Sequence, residues 1–252
     1  MKQQTDSRAA YRTHLLKSAA ELASVLQPMS QGLDKVLKRL RTTKDVESIQ
    51  DHVASLRIAE LFHAYPNVRF VFEEPWAGDA SVRLHDLVVY VDSMRVVNEV
   101  RRIQQDSRGA AAFSKAARGK FAELPNRLSD LIALIREKRV QLEPGAVNIL
   151  WLVSRNILFG KEDVRDARCF ETKGHLLRPA DQTEPTYSKL PDLVALGWLF
   201  DGDRVSNSCT PHCFLMSPQP QLESILGRIG ICMGFDCLDC TAGRRSTTPC
   251  CV

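Results

Sequence analysis

Nothing in this 252-residue chain is apolar for long enough to cross a bilayer. The longest run, Asn-Ile-Leu-Trp-Leu-Val at 148–153, falls far short of the roughly 20 residues that a spanning helix needs. The opening Met-Lys-Gln-Gln-Thr-Asp-Ser-Arg holds no signal-peptide core, so a cytoplasmic protein with no membrane partner is expected. A glycine-rich phosphate loop is also missing. Arg118-Gly119-Lys120 has neither the upstream Gly nor the following Ser or Thr that cradle nucleotide phosphates. No Gly-x-Ser-x-Gly elbow is present to carry an acyl-transfer nucleophile, and there is no internal repeat. Charge of one sign is scarce: 34 Lys and Arg face 30 Asp and Glu, and a net charge of +4 does not by itself demand a polyanionic partner.

Cysteine is not scarce but unevenly placed, with five of the eight in the last 21 residues. Cys232-x4-Cys237-x2-Cys240 has the spacing of plant-type ferredoxin ligands. The segment from Thr241 to Val252 offers little with which to build a shell around a metal, so neither an iron–sulfur cluster nor zinc is expected there. Residues 231–252 are predicted to be a disordered tail outside the folded core. Cys209-Thr210-Pro211-His212-Cys213 lacks the second half of a zinc finger and reads as a loop with an ordinary thiol.

What is present is a hydrophobic content of 44%, enough for one domain with a substantial core. Leu15, Leu16, Ala19, Leu22 and Leu26, then Leu33, Val36, Leu37 and Leu40, recur at three-to-four spacing and predict two helices broken near Pro28 and Gly32. Residues 1–44 are therefore expected to be an N-terminal helical extension for packing or homodimerisation, with a DNA-contacting arm as the alternative. A long helix is predicted over 43–65, strands over 67–73 and 146–154, and a closing hairpin from Leu193–Phe200 and Cys213–Met216. From Arg95 to Arg139 there are eleven Lys or Arg against five acids, a basic region suited to phosphate.

The segment from His85 to Arg101 carries the chemistry. Leu87–Val91 and Val96–Val100 are strand-like around the turn-forming Asp92-Ser93, which predicts a hairpin. Alternation puts Glu99 and Arg101 on one face, near Asp86 at the head of the neighbouring strand. An acid opposite an acid-x-base can hold a divalent metal beside a phosphate. Surface ion pairs with Arg95, Arg101 or Arg102 are the alternative use of the same acids, and His85 could contact phosphate or water or simply make a structural hydrogen bond.

The arrangement resembles the PD-(D/E)XK nuclease superfamily, over roughly residues 45–220. The resemblance implies an α/β restriction-endonuclease-like domain at 45–230, a mixed β-sheet flanked by helices. Asp86 and Glu99, with the backbone carbonyl of Val100, would ligate Mg²⁺ or Mn²⁺, and Arg101 stands where the family has Lys. Ser55 stands where members often supply a further Glu. The implied function is hydrolysis of phosphodiester bonds in DNA or RNA. Arg101, Arg102, Lys115, Arg118 and Lys120 are the candidate nucleic-acid contacts. A catalytically degenerate module for nucleic-acid binding or assembly is the alternative, because Arg does not readily lose a proton.

Overall fold

The computed structural model describes residues 2–76, 83–103, 127–138, 141–154, 160–165, 167, 192–200, 211–216 and 219–234. Helix α1 (Lys2–Leu26) leads through a short 3-10 turn at Gln27–Met29 to β1 (Ser30–Gln31), α2 (Leu33–Thr42) and α3 (Val46–His63). Strands β2 (Arg69–Pro75), β3 (Leu84–Val91) and β4 (Met94–Ile103) follow. Helix α4 (Arg127–Lys138) precedes β5 (Val147–Ser154), and β6 (Leu193–Phe200), β7 (His212–Leu215), α5 (Pro220–Arg228) and β8 (Cys232–Gly234) complete the described elements.

Local chemistry sets these boundaries. Pro28 cannot continue α1, and Gly32 turns the chain into α2 with φ of +76°. A Cβ on Gly32 would lie 2.4 Å from the carbonyl oxygen of Phe72, so both the backbone angle and the close approach require glycine. Asp45 caps α3 by accepting the Ser48 N–H at 2.8 Å.

All eight strands form one mixed sheet whose spatial order follows chain order from β1 to β8. Strands β2, β3 and β4 are successively antiparallel, whereas β4, β5 and β6 run parallel, and β7 is antiparallel to β6. On one face Phe70, Leu87, Val89, Val96, Trp151 and Val153 pack against Ile49, Val53, Leu56 and Phe62 of α3, with Leu222, Ile225 and Leu226 of α5 in the same core. On the other, Leu150, Leu152, Leu196 and Trp198 meet Leu131, Ile132 and Ile135 of α4. Helices on both faces make this a three-layer α/β domain, and they explain why β5 is apolar throughout Ile149–Val153.

One expectation holds in its packing form and one changes. The apolar stripe of α1 and α2 packs within the chain: Leu15, Leu22, Leu26, Leu33, Val36 and Leu40 are buried in the same core as α3 and the sheet. The boundary placed at 230 falls too early. Ile231 is buried, at 3% exposure, and Cys232–Gly234 pairs parallel with β7 as the last strand of the sheet. Cys237, Cys240, Cys250 and Cys251 lie outside the described residues. Among those described, no helix is long and apolar enough to cross a membrane.

Candidate functional site

The β3–β4 hairpin turns at Asp92-Ser93, with Asp92 at φ of 51° and its carboxylate accepting the Tyr65 hydroxyl at 2.7 Å. From that fixed turn the register runs Val91↔Met94 to Leu87↔Asn98. Beyond Leu87 the ladder gives way to a side chain: Asp86 Oδ2 accepts the Val100 N–H at 2.8 Å. Asp86 is thereby set into the seam between the two strands. Arg95, Val97, Glu99 and Arg101 alternate onto one face of β4, the face that Leu150 and Leu152 share with α4.

Glu99 is 2% exposed and His85 1%. Glu99 Oε1 lies 2.9 Å from His85 Nδ1, and His85 Nε2 lies 2.9 Å from Glu143 Oε2. Arg95 Nη1 donates to the same Glu143 oxygen at 2.7 Å, while its Nε and Nη2 donate to Glu74 Oε1 at 3.0 and 2.8 Å. The Tyr90 hydroxyl also donates to Glu74. Asn148, fully buried, brackets the backbone of Glu143 by accepting its N–H at 3.2 Å and donating to its carbonyl at 2.7 Å. Trp76 lies beside the His85 ring, with centroids 6.2 Å apart, and Arg83 stacks over Trp76.

This geometry sets the charges. Burial, reinforced by the Asp86 charge and opposed by His85 and Lys138, pushes the Glu99 carboxyl up to about 7. Asp86 is also raised, chiefly by burial, although the Val100 N–H and Lys138 favour its ionised form. Burial would raise Glu143 as well, but Arg95 and His85 outweigh it and hold that carboxyl below its usual range. Glu99, His85 and Glu143 thus form one hydrogen-bonded line through both ring nitrogens.

Arg101 is exposed. Arg102 is committed elsewhere: its side chain is paired with Glu47 and, at 3.0 Å, with Asp51 of α3. A guanidinium engaged by two carboxylates has fewer donors left for a phosphate. Ser55 is buried in α3, with its hydroxyl 3.5 Å from the Asp51 carbonyl. His52, one turn earlier, feels the charges of Asp86 and Glu73 but is lowered by burial and by Arg39. Lys115, Arg118 and Lys120 lie outside the described residues.

Asp86 thus lies within electrostatic reach of Glu99, with Arg101 on the Glu99 face and Lys138 within electrostatic reach of both acids. The sequence pattern did not reveal Glu74, Arg95 and Glu143 as partners. They come from three separate segments, and the only local signal was the Pro144-Gly145 turn beside Glu143. Among the described residues no group of three or more His, Cys, Asp or Glu is arranged to hold a metal ion. Two carboxylates, each with one oxygen engaged by a donor, suit a hard, largely hydrated cation better than an all-protein cage.

Comparison with protein-family models, curated proteins and solved structures finds no match for this chain.

Proposed function

We propose that the protein is a divalent-metal-dependent phosphodiesterase acting on nucleic acid, built on a restriction-endonuclease-like core. The observation that carries this reading is that two buried acids, Asp86 at the end of the β3 ladder and Glu99 on β4, lie within electrostatic reach of each other. Two further features support it. The chain order α3, then antiparallel β2, β3 and β4, then α4, then β5 parallel to β4 agrees with the order implied by the sequence resemblance. Both acids are also raised by burial, Glu99 further by Asp86 and Asp86 further by Asp51, and a dication beside them would offset these like charges.

In this reading Asp86, Glu99 and the Val100 carbonyl would hold Mg²⁺ or Mn²⁺. When bound, such a cation activates water and stabilises charge developing on a phosphate. Asp86 keeps its ligand geometry through the Val100 N–H, and Glu99 is oriented from behind by His85. Arg101, exposed on the Glu99 face, clamps a phosphate through its planar fork and does not serve as a base. The basic 95–139 region supplies sequence-independent attraction for the backbone.

A second reading, a catalytically degenerate module for nucleic-acid binding or assembly, is favoured by one observation. Glu99 Oε1 is already taken by His85, and the neighbouring cation is an arginine. A cleavage assay on the purified protein with single- and double-stranded DNA and RNA, titrated with Mg²⁺ and Mn²⁺, separates the two. Metal-dependent cleavage lost in both Asp86→Ala and Glu99→Ala supports the enzyme. Binding without cleavage at any metal concentration supports the module.

A further inference from the structure

We infer that His85 is a positioning residue for the metal site: pinned by Glu143 at Nε2, it holds Glu99 Oε1 through Nδ1 and leaves Glu99 Oε2 as the single coordinating oxygen. This rests on the reading of Asp86 and Glu99 as metal ligands and adds how one of them is oriented.

A glutamate has three rotatable side-chain bonds, and ordering it for a metal costs side-chain entropy at the moment of binding. His85 removes that freedom in advance, because it is 1% exposed and bonded at both nitrogens at 2.9 Å. The ring itself cannot swing. Glu143 is tied by Arg95 at 2.7 Å, and its backbone is held on both sides by the buried Asn148 amide. Arg95 in turn is anchored by Glu74. Rigidity is thus relayed from β2 and from the turn before β5 into Glu99, while Trp76 covers the imidazole. Hydrogen-bonded outer partners of this kind orient ligating groups, and removing them typically weakens metal binding by about 10–100-fold.

The two nitrogens can be tested separately. Asparagine at this position presents an amide where Nδ1 lies, and glutamine presents one where Nε2 lies. The experiment measures Mn²⁺ affinity of the full chain by electron paramagnetic resonance, without any nucleic acid, in wild type, His85→Asn, His85→Gln and Glu99→Ala. Wild type should bind and Glu99→Ala should not. His85→Gln, which keeps the bond to Glu143 but not the one to Glu99, should bind about 10–100-fold more weakly. His85→Asn should recover most of that affinity. Wild-type affinity in His85→Gln, with Glu99→Ala still inactive in binding, would overturn the positioning role and leave the metal reading intact. Absence of binding in wild type would remove the metal reading and this inference together. If the variants lose their fold by circular dichroism, the wild-type protein still decides the matter. Addition of Mg²⁺ should move the His85 Nδ1 nitrogen resonance and not that of exposed His14, and an unmoved Nδ1 would count against the role.

Discussion

A carboxylate as buried as Glu99 is stable in the folded state mainly when its proton stays nearby. Its folded value of about 7 against an ordinary 4.5 means that the native protein holds this proton over a pH range in which the unfolded chain has released it. The contribution to stability is therefore full below about pH 4.5 and declines as pH rises towards 7, by on the order of 2–3 kcal/mol. Glu99→Gln, which keeps an acceptor for His85 but cannot ionise, should flatten that decline. Urea denaturation of both proteins at pH 5 and pH 8 measures it, and equal pH dependence would show that Glu99 is not the titrating group. A second residue-scale prediction concerns Gly197. A Cβ there would lie 2.2 Å from the Trp151 ring, in a strand interior where neither side can retreat, so Gly197→Ala should lower stability by about 1–3 kcal/mol, as read by the same urea denaturation. At this scale the placement of Glu99 and Arg101 on one face of β4 was legible in the sequence, because alternation within one hairpin is a local rule. Glu74, Arg95 and Glu143 were not, because their meeting depends on side chains reaching across three segments. His85 was noticed, but its two partners were not.

At the scale of elements, local signals succeeded where an apolar run was bounded by turn residues. The β3–β4 hairpin, the buried β5 and the β6–β7 hairpin all have such bounds. Short pieces failed for the opposite reason. A two-residue strand such as β1 has no period to read, and it exists because Ser30 and Gln31 lie alongside Phe70 and Val71 of β2. Likewise β8 is only Cys232–Gly234, and its place follows from α5 delivering Ile231 into the core beside β7. Ending the chain after Gly230 removes Ile231 and β8, and should cost about 2 kcal/mol or more. A thermal midpoint unchanged by that truncation would contradict the assignment of Ile231 to the core.

For the molecule as a whole, sheet topology decides where chemistry can occur. β5 runs parallel to β4 under two helical layers, which keeps β5 dry. The antiparallel β3–β4 pair departs from its ladder at Asp86, whose carboxylate takes the Val100 N–H one residue beyond Glu99. Lys115, Arg118 and Lys120 follow in sequence the strand that carries Glu99 and Arg101. Reversing those three to Glu should weaken nucleic-acid binding and reduce the dependence of log affinity on log salt by about 0.7–0.9 for each phosphate that is no longer neutralised. Fluorescence anisotropy at several salt concentrations reads this directly, and an unchanged slope would place the binding surface elsewhere.

The central claim is that Asp86 and Glu99 form one cation site, and its most direct test is the thermal midpoint of the full chain titrated with Mg²⁺ and Mn²⁺. A site filled at about one hundred times its dissociation constant stabilises the fold by about 2.7 kcal/mol, which for a chain of this size is roughly 5–10 °C. Wild type should show that rise, while Asp86→Ala and Glu99→Ala should each show none. The same rise in all three proteins, or no rise in the wild type at saturating metal, would contradict the account.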